Sequence, residues 1–166
     1  MKRIAITGAE CSGKTTLTEQ LARHYGVKWV AEYARTFLDQ TDGNYSQTDL
    51  DKIAEGQLRA TCALNGTDLL LSDTEMLVMK VWSEYKYGSC SPYIEQLWEE
   101  QEFDLYLLCK PDIPYEDDGL RENPNDRDEL FEKYLTELAD SGRRFIIIEG
   151  DHNQRLNQAI KAIDNL

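Results

Sequence analysis

The hydrophobic positions of this chain fall into short unbroken runs, separated by longer stretches in which apolar residues recur every three or four positions. The runs are Lys2–Thr7, Val27–Ala31, Asp68–Ser72 (DLLLS), Leu105–Cys109 and Phe145–Glu149. Runs without polar alternation predict strands covered on both faces, the arrangement of a parallel sheet. The intervening spacing predicts helices over Thr15–Tyr25, Gln47–Leu64, Glu75–Tyr87, Ser91–Gln101, Arg127–Asp140 and His152–Ile163. Gly26 suits a left-handed cap on the first helix, Asn65-Gly66 breaks the second, and Pro92 fits the first turn of the fourth. Strands and helices alternating in this way predict an α/β three-layer fold, a five-stranded parallel sheet flanked by helices with right-handed crossovers. At 166 residues the whole chain suits one domain.

The first run leads directly into GAECSGKT, residues 8–15, and then into the first helix. Gly8-x-x-x-x-Gly13-Lys14-Thr15 between a strand and a helix is the P-loop pattern, so the expected fold is that of a P-loop NTPase. Its glycines let the backbone curl until successive N–H groups face phosphate oxygens, and the helix start adds a positive dipole end. The expected nucleotide site is Gly8, Ala9, Glu10, Cys11, Ser12, Gly13, Lys14, Thr15 and Thr16. Lys14 reaches the β- and γ-phosphates of ATP, and the Thr15 hydroxyl is a ligand for Mg²⁺. Asp73 closes the third run in LLLSDTE and is the second expected magnesium ligand, with Glu75 as a further carboxylate beside it. Asp151 and Arg155, in GDHNQR after the fifth run, are added as candidate contacts to the base of the nucleotide.

A nucleotide switch and a small-molecule kinase share all of these features; what separates them is a grip on an acceptor. The second run ends in VAEYAR. Ligands of open α/β sheets sit at the carboxyl ends of strands, so Glu32 is a candidate to take a proton from an attacking hydroxyl and Arg35 to neutralise phosphoryl charge. The irregular stretch KPDIPYEDDGLRENPND forms a candidate lid over about residues 111–127, with Arg121 and Arg127 as its cations. A base and a lid favour a kinase over a switch ATPase or GTPase.

Charge narrows the partners. The formal net charge of −13 disfavours a nucleic-acid duplex, and no basic run interrupts it. No apolar run reaches the roughly 20 residues a bilayer requires, and no secretory leader is evident, so the expected location is the cytoplasm, away from membranes. Cys11, Cys62, Cys90 and Cys109 lack metal spacing, and His24 and His152 lack partners, so none is given chemistry beyond the place of Cys11 in the P-loop.

Taken together, GAECSGKT, EYAR, SDTE and DIPYEDDGLR resemble, in order and over nearly the whole chain, the ribosylnicotinamide kinase domain of NadR-type proteins. The D-I-P-[WY]-x-x-D-G-L-R string is the specific part. The resemblance implies ATP-dependent phosphorylation of the 5′-hydroxyl of nicotinamide riboside, giving nicotinamide mononucleotide for NAD synthesis. Other nucleosides or nucleoside monophosphates are the alternative acceptors. The implied base is Glu32 or Asp73, with Arg121 and Arg127 in the lid and Asp112, Tyr115 and Asp118 around acceptor or lid. Carboxylates and aromatic faces attract a cationic pyridinium ring. Where family members carry a tryptophan before the glutamate, this chain has Ala31, and Trp29 shares its strand parity. Tyr33, Trp82, Tyr85 and Tyr87 are the other candidate rings. Since Met1 stands almost at the first strand, the resemblance also implies a stand-alone kinase without the adenylyltransferase and DNA-binding domains of many relatives.

Overall fold

The computed structural model describes residues 1–64 and 66–166; the helix break expected at Asn65 lies outside them. Their strands are β1 (Lys2–Thr7), β2 (Trp29–Val30), β3 (Leu69–Asp73), β4 (Leu105–Cys109) and β5 (Phe145–Ile148). Their helices are α1 (Lys14–Tyr25), α2 (Tyr33–Gln40), α3 (Gln47–Ala63), α4 (Met76–Tyr87), α5 (Pro92–Glu100), α6 (Arg127–Asp140) and α7 (His152–Asp164). The strands form one parallel sheet in the order β2-β3-β1-β4-β5. This is the α/β fold that the alternation predicts.

All five residues of β3 and all five of β4 are buried, as expected of strands with helices on both faces. On one face, Ile4, Ile6, Leu71 and Leu107 pack under α1 and α7 through Leu17, Leu21, Ala159 and Ile163. On the other, Ala5, Tyr106 and Leu108 pack against α3, α4, α5 and α6, with Leu50, Ile53, Leu77 and Leu138 among the buried contacts. The period of two along each strand thus divides one sheet between two cores.

Two differences from the sequence reading bear on function. Strand β2 is two residues long, not five, and pairs only through Trp29 with Leu71 and Val30 with Ser72. Helix α2 begins three residues later and was not foreseen. Its eight residues bury only Ala34 and Leu38, one i, i+4 pair, which is too little for a helical period to register. The chain leaves the sheet because the Tyr33 N–H donates to the Gln57 side chain at 2.8 Å and not to a strand.

Two truncations test this division between buried and edge positions. Leu107→Ala, in the fully buried β4, is expected to lower the unfolding free energy by about 3 kcal/mol. Ile147→Ala, 39% exposed on edge strand β5, is expected to cost under about 1 kcal/mol in the same urea titration.

Candidate functional site

The strand-to-helix turn after β1 owes its shape to backbone freedom at two positions. Gly8 sits at φ +134°, where a Cβ would lie 2.8 Å from the Cys109 carbonyl oxygen. Gly13, at φ +85°, ends the loop as the N-cap of α1 and brings no side chain to the first-turn N–H groups. Ser12 Oγ and Lys14 Nζ both donate to the Ala9 carbonyl, at 2.7 and 2.9 Å. The result is a concave row of N–H groups with an ammonium beside it at a helix N-terminus, which suits a phosphate.

Parallel pairing of β1 with β3 sets Asp73 level with Ile6. The Thr15 hydroxyl donates to Asp73 Oδ2 at 2.6 Å, while Oδ1 is buried with no hydrogen-bond partner among the described residues. Burial and, after it, the charge of Glu32 push the Asp73 carboxyl up to about 6, against the pull of Lys14 and the Thr15 hydrogen bond. A hydroxyl and an unpartnered carboxylate oxygen beside a phosphate cradle are hard oxygen donors of the kind magnesium takes. The next residue, Thr74, is β-branched yet left-handed at φ 79°. Its N–H extends the sheet by donating to the Ile6 carbonyl at 3.0 Å.

From the cradle a cavity of about 300 Å³ runs beneath α2 and α4. Glu32, the N-cap of α2, lies on its wall with Arg35, whose Nε reaches Glu32 at 3.1 Å and whose Nη1 reaches Asp118 at 2.7 Å. Val78, Val81, Trp82 and Tyr85, spaced i, i+3, i+4 and i+7 on α4, give it an apolar and aromatic side. Leu130 and Tyr134 of α6 close the far end.

Residues 111–126 cross the mouth without regular structure and are fastened to the P-loop from several sides. Glu10 accepts the backbone N–H groups of Glu122, at 2.9 Å, and of Asn123. Cys11 Sγ accepts the Glu116 N–H at 3.2 Å. Arg127 Nη1 donates to the carbonyls of Cys11 at 3.0 Å and Ile113 at 2.9 Å. At the outer edge Trp82 Nε1 donates to Tyr45 Oη at 2.9 Å, Tyr45 Oη donates to Glu122 Oε2 at 2.7 Å, and Lys86 reaches Glu122 Oε1 at 2.8 Å. Burial and the Glu122 carboxylate push the Tyr45 phenol up to about 12 despite Lys86, so it remains a neutral donor in this cluster.

The cavity wall thus brings together Gly8 to Thr16, Glu32, Arg35, Trp82, Tyr85 and Arg121 of the sequence-predicted residues, with Asp73 behind Thr15. The others lie elsewhere. Trp29 packs with Tyr25 and Val27 in the core under α1 and α7, on the opposite sheet face, because its register partner Leu71 points that way. Tyr33 is turned onto Gly56 of α3, and Tyr87 packs at the margin of the other core. Tyr115 lies under the Arg127 guanidinium at 5.5 Å. Asp118 holds Arg35. Asp151 caps α7. Arg155 is 2% exposed and donates to the carbonyls of Ser12 and Lys110, each at 2.7 Å, and to Asp112. Arg155 is therefore a buried brace behind the P-loop, held at its outer end by the exposed Asp112, and neither is a free contact to acceptor or base. Tyr45, Lys86, Glu122 and Tyr134 were missed. Lys86 follows Trp82 by four positions on α4, a signal present in the sequence, whereas nothing local distinguishes Tyr45 or Glu122.

A strand, P-loop and helix beside a neighbouring strand that ends in a carboxylate define a P-loop NTPase fold. A family model described as AAA domain matches residues 3–155, and the chain belongs to that family. It is 27% identical over 174 residues to the Trifunctional NAD biosynthesis/regulator protein NadR of Escherichia coli (strain K12), covering 98% of this chain and 42% of the relative. The chain therefore spans less than half the length of that relative. Among solved structures it is similar to a NadR protein in complex with NR, with TM-score 0.85, 24% identity and coverage of 99% of this chain and 51% of the other. A NadR protein in complex with NAD and AMP-PNP gives TM-score 0.78 at 22% identity over 99% and 49%.

The buried Asp73 yields a pH prediction. Its folded-state value, about 6, lies above the ordinary 3.8, so between those values the folded chain holds more protons than the unfolded one. Stability from this group is therefore full at low pH and declines as pH rises through that window, by up to about 3 kcal/mol. Asp73→Asn is expected to stabilise the metal-free protein more at pH 8 than at pH 4. An equal effect of the substitution at both pH values in urea unfolding would remove the raised carboxyl.

Proposed function

We propose that this protein transfers the γ-phosphoryl group of ATP to the 5′-hydroxyl of a ribonucleoside, with nicotinamide riboside as the acceptor. The observation that carries the reading is the continuity of one cavity from the phosphate cradle to the aromatic wall of Trp82 and Tyr85, with Glu32 on its wall. A nucleotide switch needs the cradle but not a nucleoside-sized apolar extension. The printed description of the E. coli relative as an NAD biosynthesis protein, and the NR-bound NadR structure, support the choice of acceptor. The single-domain reading of residues 1–166, with a lid over about 111–127, belongs to the same proposal, as does a cytoplasmic location where ATP is supplied.

The chemistry is then positional and electrostatic. The P-loop N–H groups and Lys14 hold the ATP phosphates. Asp73 and Thr15 would hold magnesium, which when bound would offset charge on the phosphate oxygens. Glu32 accepts the proton of the 5′-hydroxyl as the acceptor oxygen bonds to the γ-phosphorus. The bond from that phosphorus to the β–γ bridging oxygen breaks, and the electron pair leaves with ADP. Arg35 and Arg121 face the charge that develops, and the segment fastened to Glu10 and Cys11 keeps water from the phosphorus. Trp82 and Tyr85 offer aromatic faces to a cationic ring.

A coupled ADP-release assay with nicotinamide riboside, other nucleosides, nucleoside monophosphates or no acceptor tests this. Turnover is expected with nicotinamide riboside, and release independent of any acceptor would replace the reading with a nucleotide switch. Glu32→Gln is expected to lower kcat by about 10²-fold or more with ATP affinity within about threefold of the parent. Unchanged transfer in that variant would take the base away from Glu32.

A further inference from the structure

Helix α2 is short, buries little of itself and carries Glu32 at its N-cap, yet transfer requires that carboxylate to keep its place opposite the P-loop. Two adjacent residues of α3 meet its first turn. Gln57 is 1% exposed, and its Oε1 accepts the Tyr33 N–H at 2.8 Å, one residue beyond Glu32. Its Nε2 is turned the other way, towards Ser72 Oγ at 3.4 Å and the carbonyls of Asp73 and Thr74, both at 3.3 Å. Ser72 Oγ donates to the same Thr74 carbonyl at 2.7 Å. One buried amide therefore joins the backbone next to Glu32 to the backbone of Asp73 and of the left-handed Thr74.

The neighbour of Gln57 supplies the second contact. Gly56 lies inside α3, where glycine is a poorer helix former than alanine. A Cβ there would fall 2.1 to 2.5 Å from ring carbons of Tyr33, so the glycine admits the ring flat against the helix. Backbone and ring of Tyr33 are thus both fixed by α3.

We infer that Gly56 and Gln57 form a positioning clamp that holds the N-terminus of α2, and with it Glu32, in register with Asp73. Gln57 is a positioning residue: it touches neither the cavity nor a reacting atom, and acts through Glu32. The peptide unit after Glu32 has no sheet partner, because β2 ends at Val30, and the clamp takes the place of that missing pairing. Methionine at position 57 fills similar volume but neither accepts from Tyr33 nor donates to the β3 carbonyls. Alanine at position 56 keeps α3 helical while forcing the Tyr33 ring away.

The inference rests on the proposed phosphoryl transfer, and its test separates the two. Gln57→Met and Gly56→Ala are each expected to lower kcat about 10- to 100-fold, the scale of a displacement near 1 Å, with the ATP KM within about threefold. In a Glu32→Gln background Gln57→Met is expected to cost less than about twofold more, because the group it positions is already gone. Adding Tyr33→Ala to Gly56→Ala removes the clash but also the ring contact, and is expected to restore only part of the lost rate, up to that of Tyr33→Ala alone. Hydrogen exchange of residues 31–38 is expected to quicken in both single variants while that of α1 is unchanged. Rates within about twofold of the parent in both single variants, or an undiminished effect of Gln57→Met in the Glu32→Gln background, would overturn the clamp. So would an equal quickening of exchange across the whole chain. If the parent transfers to no acceptor, the proposed function fails, and the exchange measurement still reads the clamp.

Discussion

The parallel pairing of β1 with β3 is the constraint on which the rest of the site depends. Their register brings Asp73 to the level of Ile6, two residues before the P-loop starts at Gly8. From there the loop has to turn sharply enough for Thr15, on the first turn of α1, to meet Asp73 Oδ2. Only a residue without Cβ can pass the Cys109 carbonyl at Gly8, so the turn depends on β4 as well as on β3. A slip of one residue between β1 and β3 would exchange the two cores and carry the carboxylate away from the hydroxyl in the same step. Fold and candidate chemistry therefore rest on one ladder of hydrogen bonds.

The electrostatics follow from crowding carboxylates around that ladder. Asp73 is buried within the influence of Glu32, and both the burial and the second negative charge oppose its ionisation. Lys14, Thr15 and Arg35 counter this without abolishing it. A site left in this condition favours whatever brings positive charge to Asp73 Oδ1, and it favours binding over stability. A strained residue stands beside the aspartate. Thr74 in the left-handed region costs about 1–3 kcal/mol, and its carbonyl is held by Ser72 and Gln57 while its N–H is held by Ile6. Strain there is kept by over-determination from three sides.

Long-period features could be read in the sequence, and short-range detours could not. The runs LLLSD and LYLLC are apolar without alternation, which is why β3 and β4 were legible to within a residue. The P-loop was legible because its chemistry is local, carried by glycines, a lysine and a hydroxyl at fixed offsets. Helix α2 was hidden because one buried i, i+4 pair makes no period, and the cause of its start, a side-chain amide 24 residues further on, is not a property of the segment. Trp29 was misread because parity fixes which side chains share a face but not which face the cavity occupies. Asp112 and Arg155 were read as ligand contacts because charged residues near a strand end attract that reading. Their pairing, and the burial of Arg155, emerge only once β4 and α7 are packed.

The irregular segment over residues 111–126 has its own physical logic. Its fastenings to the P-loop use backbone on one side or the other: the N–H groups of Glu122 and Asn123 on Glu10, the N–H of Glu116 on Cys11, and carbonyls of Cys11 and Ile113 for Arg127. Side chains pair with the segment at other points: Glu122 with Tyr45 and Lys86 at the outer edge, Asp118 with Arg35 on the cavity wall, and Asp112 with Arg155 behind the P-loop. Exposed ion pairs of that kind contribute little and are screened by salt, whereas backbone N–H groups gathered on a carboxylate are directional. The inner fastening therefore sets the height of the segment above the P-loop, and the outer contacts add little to it. The aromatic edge of Trp82 and the fastening of Glu10 to its two N–H groups belong to different stretches of the cavity wall. A cavity with an apolar aromatic wall on α4 and a backbone-fastened segment over the P-loop suits the proposed transfer to a sugar hydroxyl over transfer to water.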